Sequence, residues 1–335
     1  MKKTSYNWMI WLIVLSVLLV CVFFLSLSVG SVTISLKKII ASLFGKTDRS
    51  VSVILFDIRF PRILLGLAIG GALGLSGAIL QGMFRNPLVE PYTLGIAGGA
   101  ALGVCLNIIS GFSKIAGAVS FPVTGFIGAL IVIGLVYTLS MKRGLMRIQG
   151  LLLTGVMISF ISSSLVMLLM AIAKVEDLHG IIFWIMGFLA DSQWMLVKIA
   201  VFVSIAGLLV SYLFCRDLNA MSLGEEEALH LGVNVERTKR ILFIITSVLI
   251  GCSVSITGII GFVGLVVPHF VRMFIGRDYR ILLIGSFLTG ACFLVICDTL
   301  ARTIISPMEL PVGVITGILG GSLFVYALTK RQVAL

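Results

Sequence analysis

Nine stretches of this chain carry no aspartate, glutamate, lysine or arginine, and most are long enough to cross a membrane as a helix. About 20 apolar residues span ~30 Å of hydrocarbon. Backbone polar groups cannot stay unpaired in lipid, and no stretch alternates every two residues as barrel strands do, so each long run should be helical. The chain is 59% hydrophobic and 12% charged, which predicts an all-α integral membrane protein. The stretches are residues 4–36, 63–84, 91–113, 115–141, 148–173, 199–215, 241–271, 281–297 and 310–329.

One stretch, residues 241–271, is too long for a single span and is interrupted by glycines and a proline. We expect a full span followed by a short, bent one, which gives about ten transmembrane helices in a single domain covering residues 1–335. The uncharged segment 178–190 is too short to cross and is expected to lie in or re-enter the outer interface. The first run has no convincing cleavage site, so it is expected to be a retained span. The interrupting residues are Gly258, Gly261, Gly264 and Pro268.

Charge distribution predicts the orientation. Ten spans put both termini on one side, and placing them in the cytoplasm puts 15 of the 25 basic residues on inner segments. Arg59, Arg62 and Arg302 then face outward, against the general bias, with Pro61 setting the turn into the second span. Two explanations fit such arginines: they bind lipid headgroups by snorkelling, or they receive a partner.

Small residues and a weak internal similarity predict a tightly packed bundle. Glycines at four-residue spacing let helix backbones approach closely. The segments beginning "RILLGLAIGG" at Arg62 and "RILFIITSVL" at Arg240 start on opposite sides in this topology, as an inverted repeat of a transporter would. The spaced glycines are Gly66, Gly70 and Gly74; Gly95, Gly99 and Gly103; and Gly313, Gly317 and Gly321.

Charged residues within the spans give little support to an ion-coupled transporter. Such proteins usually carry carboxylates near mid-membrane, whereas Glu90, Asp298 and Glu309 fall near the predicted span ends. An ion-coupled secondary transporter therefore remains the alternative from a different class.

Catalytic and nucleotide-binding patterns are lacking. The stretch Gly45–Lys46–Thr47 would need a glycine at the position of Ile40 to form a phosphate-binding loop, so any ATP that drives this protein is expected on another subunit. The three histidines are scattered, and the six cysteines lack zinc-type spacing and are expected to be packing residues. A membrane enzyme is a poor third choice.

A polar segment at residues 216–240 is predicted to lie in the cytoplasm. Ser222 is positioned to cap a helix with Glu225 as the reciprocal residue, and Gly232 suits a left-handed stop after Leu231. A solvated loop and a docking element for a cytoplasmic partner both fit this pattern. After the second span, Asn86 and Pro87 predict a tight inner turn.

Six segments taken together resemble the FecCD-type permeases, the membrane subunits of type II ABC importers for ferric siderophores, haem and cobalamin. They run in family order from residue 59 to 328: "RFPRILLGLAIGGALGLSGAILQGMFRNPLVEPYTLGIAGGAALG", "LLLTGV", "SLGEEEALHLGVNV", "GIIGFVGLVVPHFVR", "DTLAR" and "ELPVGVITGILGGSLFVYAL".

The resemblance implies a BtuC-like permease of ten spans in the bacterial cytoplasmic membrane. It implies a second permease subunit, identical or different, and two cytoplasmic ATPase subunits that hold ATP and Mg. It also implies a substrate-binding lipoprotein or periplasmic protein outside. This chain is expected to contact membrane lipid, to bind no cofactor or metal of its own, and to bind no nucleic acid.

The resemblance also implies roles for individual residues. Arg59, Arg62 and Arg302 match outward arginines that receive acidic residues of the binding protein. The inner constriction matches the start of the span at residue 148, which makes Gln149 and Gly150 the candidate gate, although Ile148 and Gln149 depart from the small hydroxyl residues of the family. The coupling helix that enters the ATPase matches Ser222, Gly224, Glu225, Glu226, Ala228, Leu231 and Gly232.

Because it is the commonest cargo of the family, an iron(III)-siderophore is the expected cargo, with haem or cobalamin as alternatives within the same fold.

Overall fold

A computed structural model describes residues 2–30, 32–43, 48–142, 145–190 and 192–332, and the described chain is almost entirely helical. The Gly45–Lys46–Thr47 stretch lies outside the described residues. A two-residue hairpin pairs β1 (Met141–Lys142) with β2 (Leu145–Met146). The helices are α1 (Lys2–Ser28), α2 (Leu36–Leu43), α3 (Arg49–Val53), α4 (Phe60–Met83), α5 (Ile96–Ile109), α6 (Phe112–Ala116), α7 (Ser120–Ser140), α8 (Ile148–Ile172), α9 (Val175–Met186), α10 (Trp194–Leu213), α11 (Cys215–Leu223), α12 (Glu225–His230), α13 (Val235–Thr257), α14 (Val263–Phe274), α15 (Tyr279–Thr303) and α16 (Val312–Gln332).

The predicted all-helical membrane architecture is confirmed by the described residues. Seven helical stretches among them are long and apolar enough to cross a bilayer, and three shorter apolar helices accompany them: Ile96–Ile109, Val263–Phe274 and Val312–Ala327. Long and short helices together match the predicted ten, but that all ten cross stays a prediction, as does the inverted repeat.

The predicted break in the run 241–271 is confirmed. Helix α13 ends at Thr257 and α14 begins at Val263. The chain turns at Gly258 and Phe262, which have φ angles of 71° and 67°. Pro268 lies inside α14 and not at the break.

The predicted turn at Pro61 is wrong. Helix α3, a π-helical turn at Ile54–Arg59 and α4 follow one another without a gap, so Arg59 and Arg62 lie within one helical stretch and not at its entrance. Proline lacks an N–H and its ring crowds the carbonyl four residues earlier. The wider π-helical turn directly before Pro61 accommodates this without ending the helix.

Helix α4 forms the centre of the bundle. In the most apolar part of the helical stretch that contains α4, 89% of the residues are buried. In the corresponding part of α8 the share is 17%, so α8 lies at the periphery. Close backbone contacts replace side chains here: a Cβ on Gly70 would lie 2.3 Å from the Gly290 carbonyl oxygen of α15, and one on Gly77 only 1.8 Å from the Gly264 oxygen of α14. The same holds where α5 crosses α7, since a Cβ on Gly99 would lie 2.5 Å from the Gly128 oxygen.

The short segment predicted at residues 178–190 is the greater part of helix α9 followed by an irregular stretch. Helix α9 has 12 residues, about 18 Å of rise, which is less than the hydrocarbon thickness. The chain then returns to the bundle at Gly187, whose Cβ would lie 2.5 Å from the Ile259 carbonyl oxygen. Its position in the outer interface stays a prediction.

Candidate functional site

The three predicted outward arginines are buried in the described chain. Arg59, Arg62 and Arg302 are 3%, 4% and 5% exposed. Arg62 donates to both Asp298 carboxylate oxygens at 2.8–3.2 Å and to Glu309 Oε2 at 2.7 Å. So little exposure does not favour headgroup anchoring by snorkelling, which needs the guanidinium at the surface, and it limits direct access by a partner in the same way; both alternatives stay predictions.

The neighbouring groups complete a charge cluster. Arg302 Nε lies 3.0 Å from Asp298 Oδ2, and its Nη2 donates to Ser26 Oγ at 2.8 Å. Arg59 donates to the carbonyl oxygens of Leu27, at 2.6 Å, and Val32. Arg62 and Arg302 thus contact two carboxylates and Arg59 contacts carbonyl oxygens, so the five side chains together carry one positive charge in excess. We define this outer cluster as Arg59, Arg62, Asp298, Arg302 and Glu309.

Within the outer cluster only Glu309 offers substantial surface. Its side chain is 38% exposed, against 3% for Asp298 and 5% for Arg62. An acidic group approaching from outside would therefore meet Glu309 before it reached the Arg62 guanidinium. The role of the arginines in docking stays a prediction.

The segment predicted to couple with an ATPase consists of two short helices and the start of α13. The predicted capping box is wrong: Ser222 lies in the last turn of α11 and donates to the Asn219 carbonyl oxygen at 2.6 Å. Gly224, with φ of 146°, occupies the cap position of α12 instead. Because α11 continues through Leu223, Ser222 is an interior helical residue two positions before the cap, and its backbone cannot take the N-cap conformation for α12.

The predicted end of that helix is confirmed. Gly232 has φ of 83°. Its N–H donates to the Leu229 oxygen at 2.9 Å, and Val233 N–H donates to the Ala228 oxygen at 3.0 Å. This left-handed closure satisfies the last carbonyl groups of the helix. Three glutamates occupy the first turn of α12, where the helix dipole favours negative charge.

Exposed leucines surround α12. Leu223, Leu229 and Leu231 are 66%, 58% and 65% exposed, although they lie in the polar segment and outside the apolar spans. Ala228 is fully buried between them and anchors α12 to the bundle. An apolar patch at such a place is typical of a protein–protein contact. Of these leucines the sequence prediction included only Leu231.

A buried lysine joins α12 to the base of α13 and to the hairpin. Lys239 is 2% exposed; its Nζ lies 2.6 Å from Glu225 Oε2 and 3.4 Å from Glu236 Oε1. The other oxygen of Glu236 accepts the Met146 N–H at 2.9 Å. Since α8 begins two residues after Met146, this chain of contacts connects the coupling segment with the candidate gate. Sequence reasoning missed Lys239, although a lysine four residues inside a helix that enters the membrane was a detectable signal.

Helix α11 is fastened to two further helices. Asp217 Oδ2 accepts from the Thr238 hydroxyl of α13 at 3.0 Å. Asn219 donates to Asp278 Oδ1 at 2.8 Å and accepts from the Tyr279 N–H at 3.0 Å, at the start of α15. These bonds fasten α11, in the segment predicted to couple with an ATPase, to α13 and α15.

The remaining predicted residues lie at helix ends. Asn86 Oδ1 accepts from Leu88 N–H at 2.9 Å, which confirms the tight turn with Pro87. Gln149 is exposed and Gly150 half-buried in the first turn of α8. Their role as a gate stays a prediction.

A polar contact also stabilises the break between α13 and α14. Glu90 Oε1 accepts the Phe262 N–H at 2.6 Å, and the Tyr92 hydroxyl bonds both the N–H and the oxygen of Ile260 at 3.0 and 2.9 Å. Burial raises the pKa of the Glu90 carboxyl, while the Phe262 N–H opposes that rise. Glu90 thus contacts a helix break, which its placement near a span end did not predict.

Within the residues that the structure describes, no three His, Cys, Asp or Glu side chains come together as a metal site. All six cysteines are free, and five of them are buried.

Comparison with known proteins gives matches over nearly the whole chain. The family model described as "FecCD transport family" matches residues 18–330. The hemin transport system permease protein HmuU of Yersinia pestis is 40% identical over 320 residues, 95% of each chain. The cobalamin import system permease protein BtuC of Halobacterium salinarum is 40% identical over 290 residues, 87% of this chain and 77% of that protein. The iron(3+)-hydroxamate import system permease protein FhuG of Bacillus subtilis is 33% identical over 339 residues, 99% and 100% of the two chains.

A solved structure has the same fold. It is described as an inward-facing conformation of a putative metal-chelate type ABC transporter. It is 33% identical to this chain, with a TM-score of 0.86 over 95% of this chain and 98% of that one.

Proposed function

Because this chain belongs to the FecCD transport family and its relatives are permease proteins of transport and import systems, we propose that it carries an iron(III)-siderophore across the cytoplasmic membrane. The observation that carries this proposal is the TM-score of 0.86, over 95% of the chain, to a structure described as a putative metal-chelate type ABC transporter. A haem or cobalamin cargo is the alternative, supported by the names of the two relatives at 40% identity.

Energy would come from partner subunits. Two cytoplasmic ATPase subunits would bind ATP and Mg, and a second permease subunit would complete the pathway. The exposed leucines at 223, 229 and 231 supply an apolar contact for the ATPase. The first-turn glutamates Glu225 and Glu226 supply charge for basic side chains on it.

Transport would then be switched by rigid-body motion. Closure of the ATPases would displace α12. The Lys239 bonds to Glu225 and Glu236 would carry that displacement to Met146 and the start of α8. Gln149 and Gly150, in the first turn of α8, would open or close the inner end of the pathway. Both termini would lie in the cytoplasm.

The outer cluster would receive the substrate-binding protein. The three arginines of the outer cluster carry one charge more than its two carboxylates, which favours an acidic surface. Since Glu309 already occupies Nη1 of Arg62, an acidic residue of the binding protein would compete with Glu309 for that nitrogen.

Uptake by proteoliposomes tests the proposed function. With the ATPase partner and ATP present, uptake of the iron(III) complex carried by the co-purifying binding protein should continue after the proton gradient is collapsed. Uptake by this chain alone in ATP-free vesicles would instead establish the secondary-transporter alternative. A co-purifying protein loaded with haem or cobalamin would replace the siderophore as cargo.

Docking is tested without disturbing the buried arginines. Glu309→Gln removes the competing charge and should tighten binding of the co-purified binding protein. Arg237→Gln, which changes an exposed arginine in the coupling segment, is the control and should leave docking unchanged. Weaker or equal binding to the Glu309 variant would contradict competition at Arg62.

A further inference from the structure

A basic cavity of about 700 Å³ opens beside the Asn86–Pro87 turn. It is bordered by the ends of α4 and α14 and by the start of α15. Arg85, Arg272 and Arg277 line it together with the polar side chains of Gln81 and Tyr279. None of the proposed transport roles uses these residues.

The cavity walls carry three positive charges, and no carboxylate of the described chain is among their side chains. Asp278 adjoins Arg277 in sequence, but its Oδ1 accepts from Asn219 Nδ2 and from the Arg280 N–H. Scattered arginines are ordinary on inner loops. Three arginines on one concave surface without a carboxylate among them are a site for an anion.

One of the three arginines is held in place by a neutral partner. Gln81 is 3% exposed, and its amide nitrogen donates to the carbonyl oxygens of Gly264 and Leu265 at 3.3 and 3.2 Å. Its Oε1 therefore faces Arg272, whose Nη1 donates to it. Such a bond orients the guanidinium and leaves its charge uncompensated.

A second arginine has an unusual backbone conformation. Arg85 has φ of 51°, in the left-handed region that non-glycine residues seldom adopt. This conformation closes α4: the Arg85 N–H donates to the Gly82 oxygen and the Asn86 N–H to the Gln81 oxygen, both at 3.2 Å, which fixes Arg85 at the helix end. The Asn86 turn that follows fixes the direction in which the chain leaves Arg85.

The cavity lies at the level expected for lipid headgroups. Met273 and Phe274, at the end of α14, are 54% and 61% exposed. The Phe274 ring centroid lies 6.3 Å from that of Trp11, a residue type concentrated at membrane interfaces. Both rings also line an apolar groove of about 260 Å³ along α14. That groove lies on the other face of α14, whereas Met273, which is exposed, lines the basic cavity itself and supplies apolar surface beside the arginines.

We propose that this cavity binds the phosphate group of an anionic phospholipid, held by Arg85, Arg272 and Arg277. Basic pockets between transmembrane helices on the cytoplasmic side are a recognised setting for such headgroups. The site goes beyond the transport function, since a lipid held here would brace α4, α14 and α15 against one another whatever the cargo.

Native mass spectrometry of the full chain in mild detergent tests this. The protein is titrated with palmitoyl-oleoyl phosphatidylglycerol and, separately, with phosphatidylcholine of the same chains. The wild type should bind phosphatidylglycerol more tightly. The double variant Arg85→Asn, Arg277→Gln should lose about 30-fold in affinity for phosphatidylglycerol and keep its phosphatidylcholine binding, because each arginine near a headgroup is worth about fivefold.

The variants are chosen to preserve the fold. Asparagine tolerates the left-handed conformation at position 85, both arginines are exposed, and the Gln81–Arg272 bond stays intact. Arg280→Gln, an exposed arginine at the same end that does not line the cavity, is the matched control and should bind like the wild type.

Two results would overturn the lipid assignment. One is an equal preference for phosphatidylglycerol in the double variant and the wild type. The other is binding of inorganic phosphate that depends on Arg85 and Arg277 without any preference for phosphatidylglycerol, which would assign the cavity to a soluble anion.

Discussion

Lys239 Nζ lies 2.6 Å from Glu225 Oε2, so a lysine that is 2% exposed joins α12 to the base of α13. Glu225 itself is 41% exposed in its side chain. The lysine is therefore the charge that loses its hydration on folding, and its carboxylate partners offset that cost. Removing a partner should cost more than an exposed ion pair is worth.

We predict that Glu225→Gln destabilises the protein by about 1–3 kcal/mol, since it leaves the Lys239 charge with only the longer contact to Glu236. Thermal unfolding in detergent measures the effect. Glu226→Gln, an exposed glutamate on the same turn, should change stability by less than about 0.5 kcal/mol.

A double-mutant cycle with Lys239→Met isolates the pair. Once the lysine is methionine, Glu225→Gln should cost little, because no buried charge then needs a partner. If Glu225→Gln costs the same in both backgrounds, the Lys239–Glu225 contact does not stabilise the fold.

Asp298 supports a second prediction. It lies 2.8 Å from Arg62 and 3.0 Å from Arg302 and is 2% exposed. Asp298→Asn leaves two buried guanidinium groups with too little negative charge and should cost about 3–5 kcal/mol. Thermal unfolding in detergent measures this loss of stability, and a lower expression yield should accompany it.

Glu309→Gln is the matched control for Asp298→Asn. Its carboxylate also bonds Arg62, but it is 38% exposed, and partly exposed pairs contribute about 0–1 kcal/mol. Equal losses in the two variants would mean that burial does not govern the outer cluster.

The helical architecture was predictable because apolar runs and unpaired backbone groups dictate it in lipid. The break after Thr257 followed from its glycines, and the turn at Asn86 from its side-chain chemistry. These features depend on residues close together in sequence, so local chemistry decides them.

The site was harder to predict because its partners are distant in sequence. Asp298 lies 236 residues from Arg62, and no local pattern shows that the two meet. Ser222 matched a capping box, yet Gly224 broke the helix two residues later and took the cap position. The glycine spacing predicted close crossings correctly at Gly70 and Gly74 but not at Gly317, whose added Cβ would meet nothing within 4 Å among the described residues.

That contrast between glycines gives a third prediction. Gly77→Ala should cost about 3 kcal/mol or more, because its Cβ would lie 1.8 Å from the Gly264 oxygen and the contact is backbone on both sides. Gly317→Ala lies in a helix with open space and should be neutral or stabilising by up to about 1 kcal/mol. Thermal unfolding of both variants checks this, and similar stability for the two would contradict the close crossing of α4 and α14.

Glu90 gives a prediction about pH. Burial raises the pKa of its carboxyl in the folded protein, although the Phe262 N–H opposes the rise, so folding favours the neutral form. Below the ordinary glutamate pKa of about 4.3 the carboxyl is protonated in both states and its contribution to stability is fully present. As pH rises toward the folded pKa, the unfolded chain ionises first and that contribution is lost, by at most about 1.4 kcal/mol per pH unit.

Glu90→Gln retains an oxygen that accepts the Phe262 N–H but cannot ionise. The stability of Glu90→Gln relative to the wild type should therefore grow as pH rises above about 4.3, and chemical unfolding at several pH values measures it. A difference that does not change with pH, or that shrinks as pH rises, would show that burial does not govern this carboxyl.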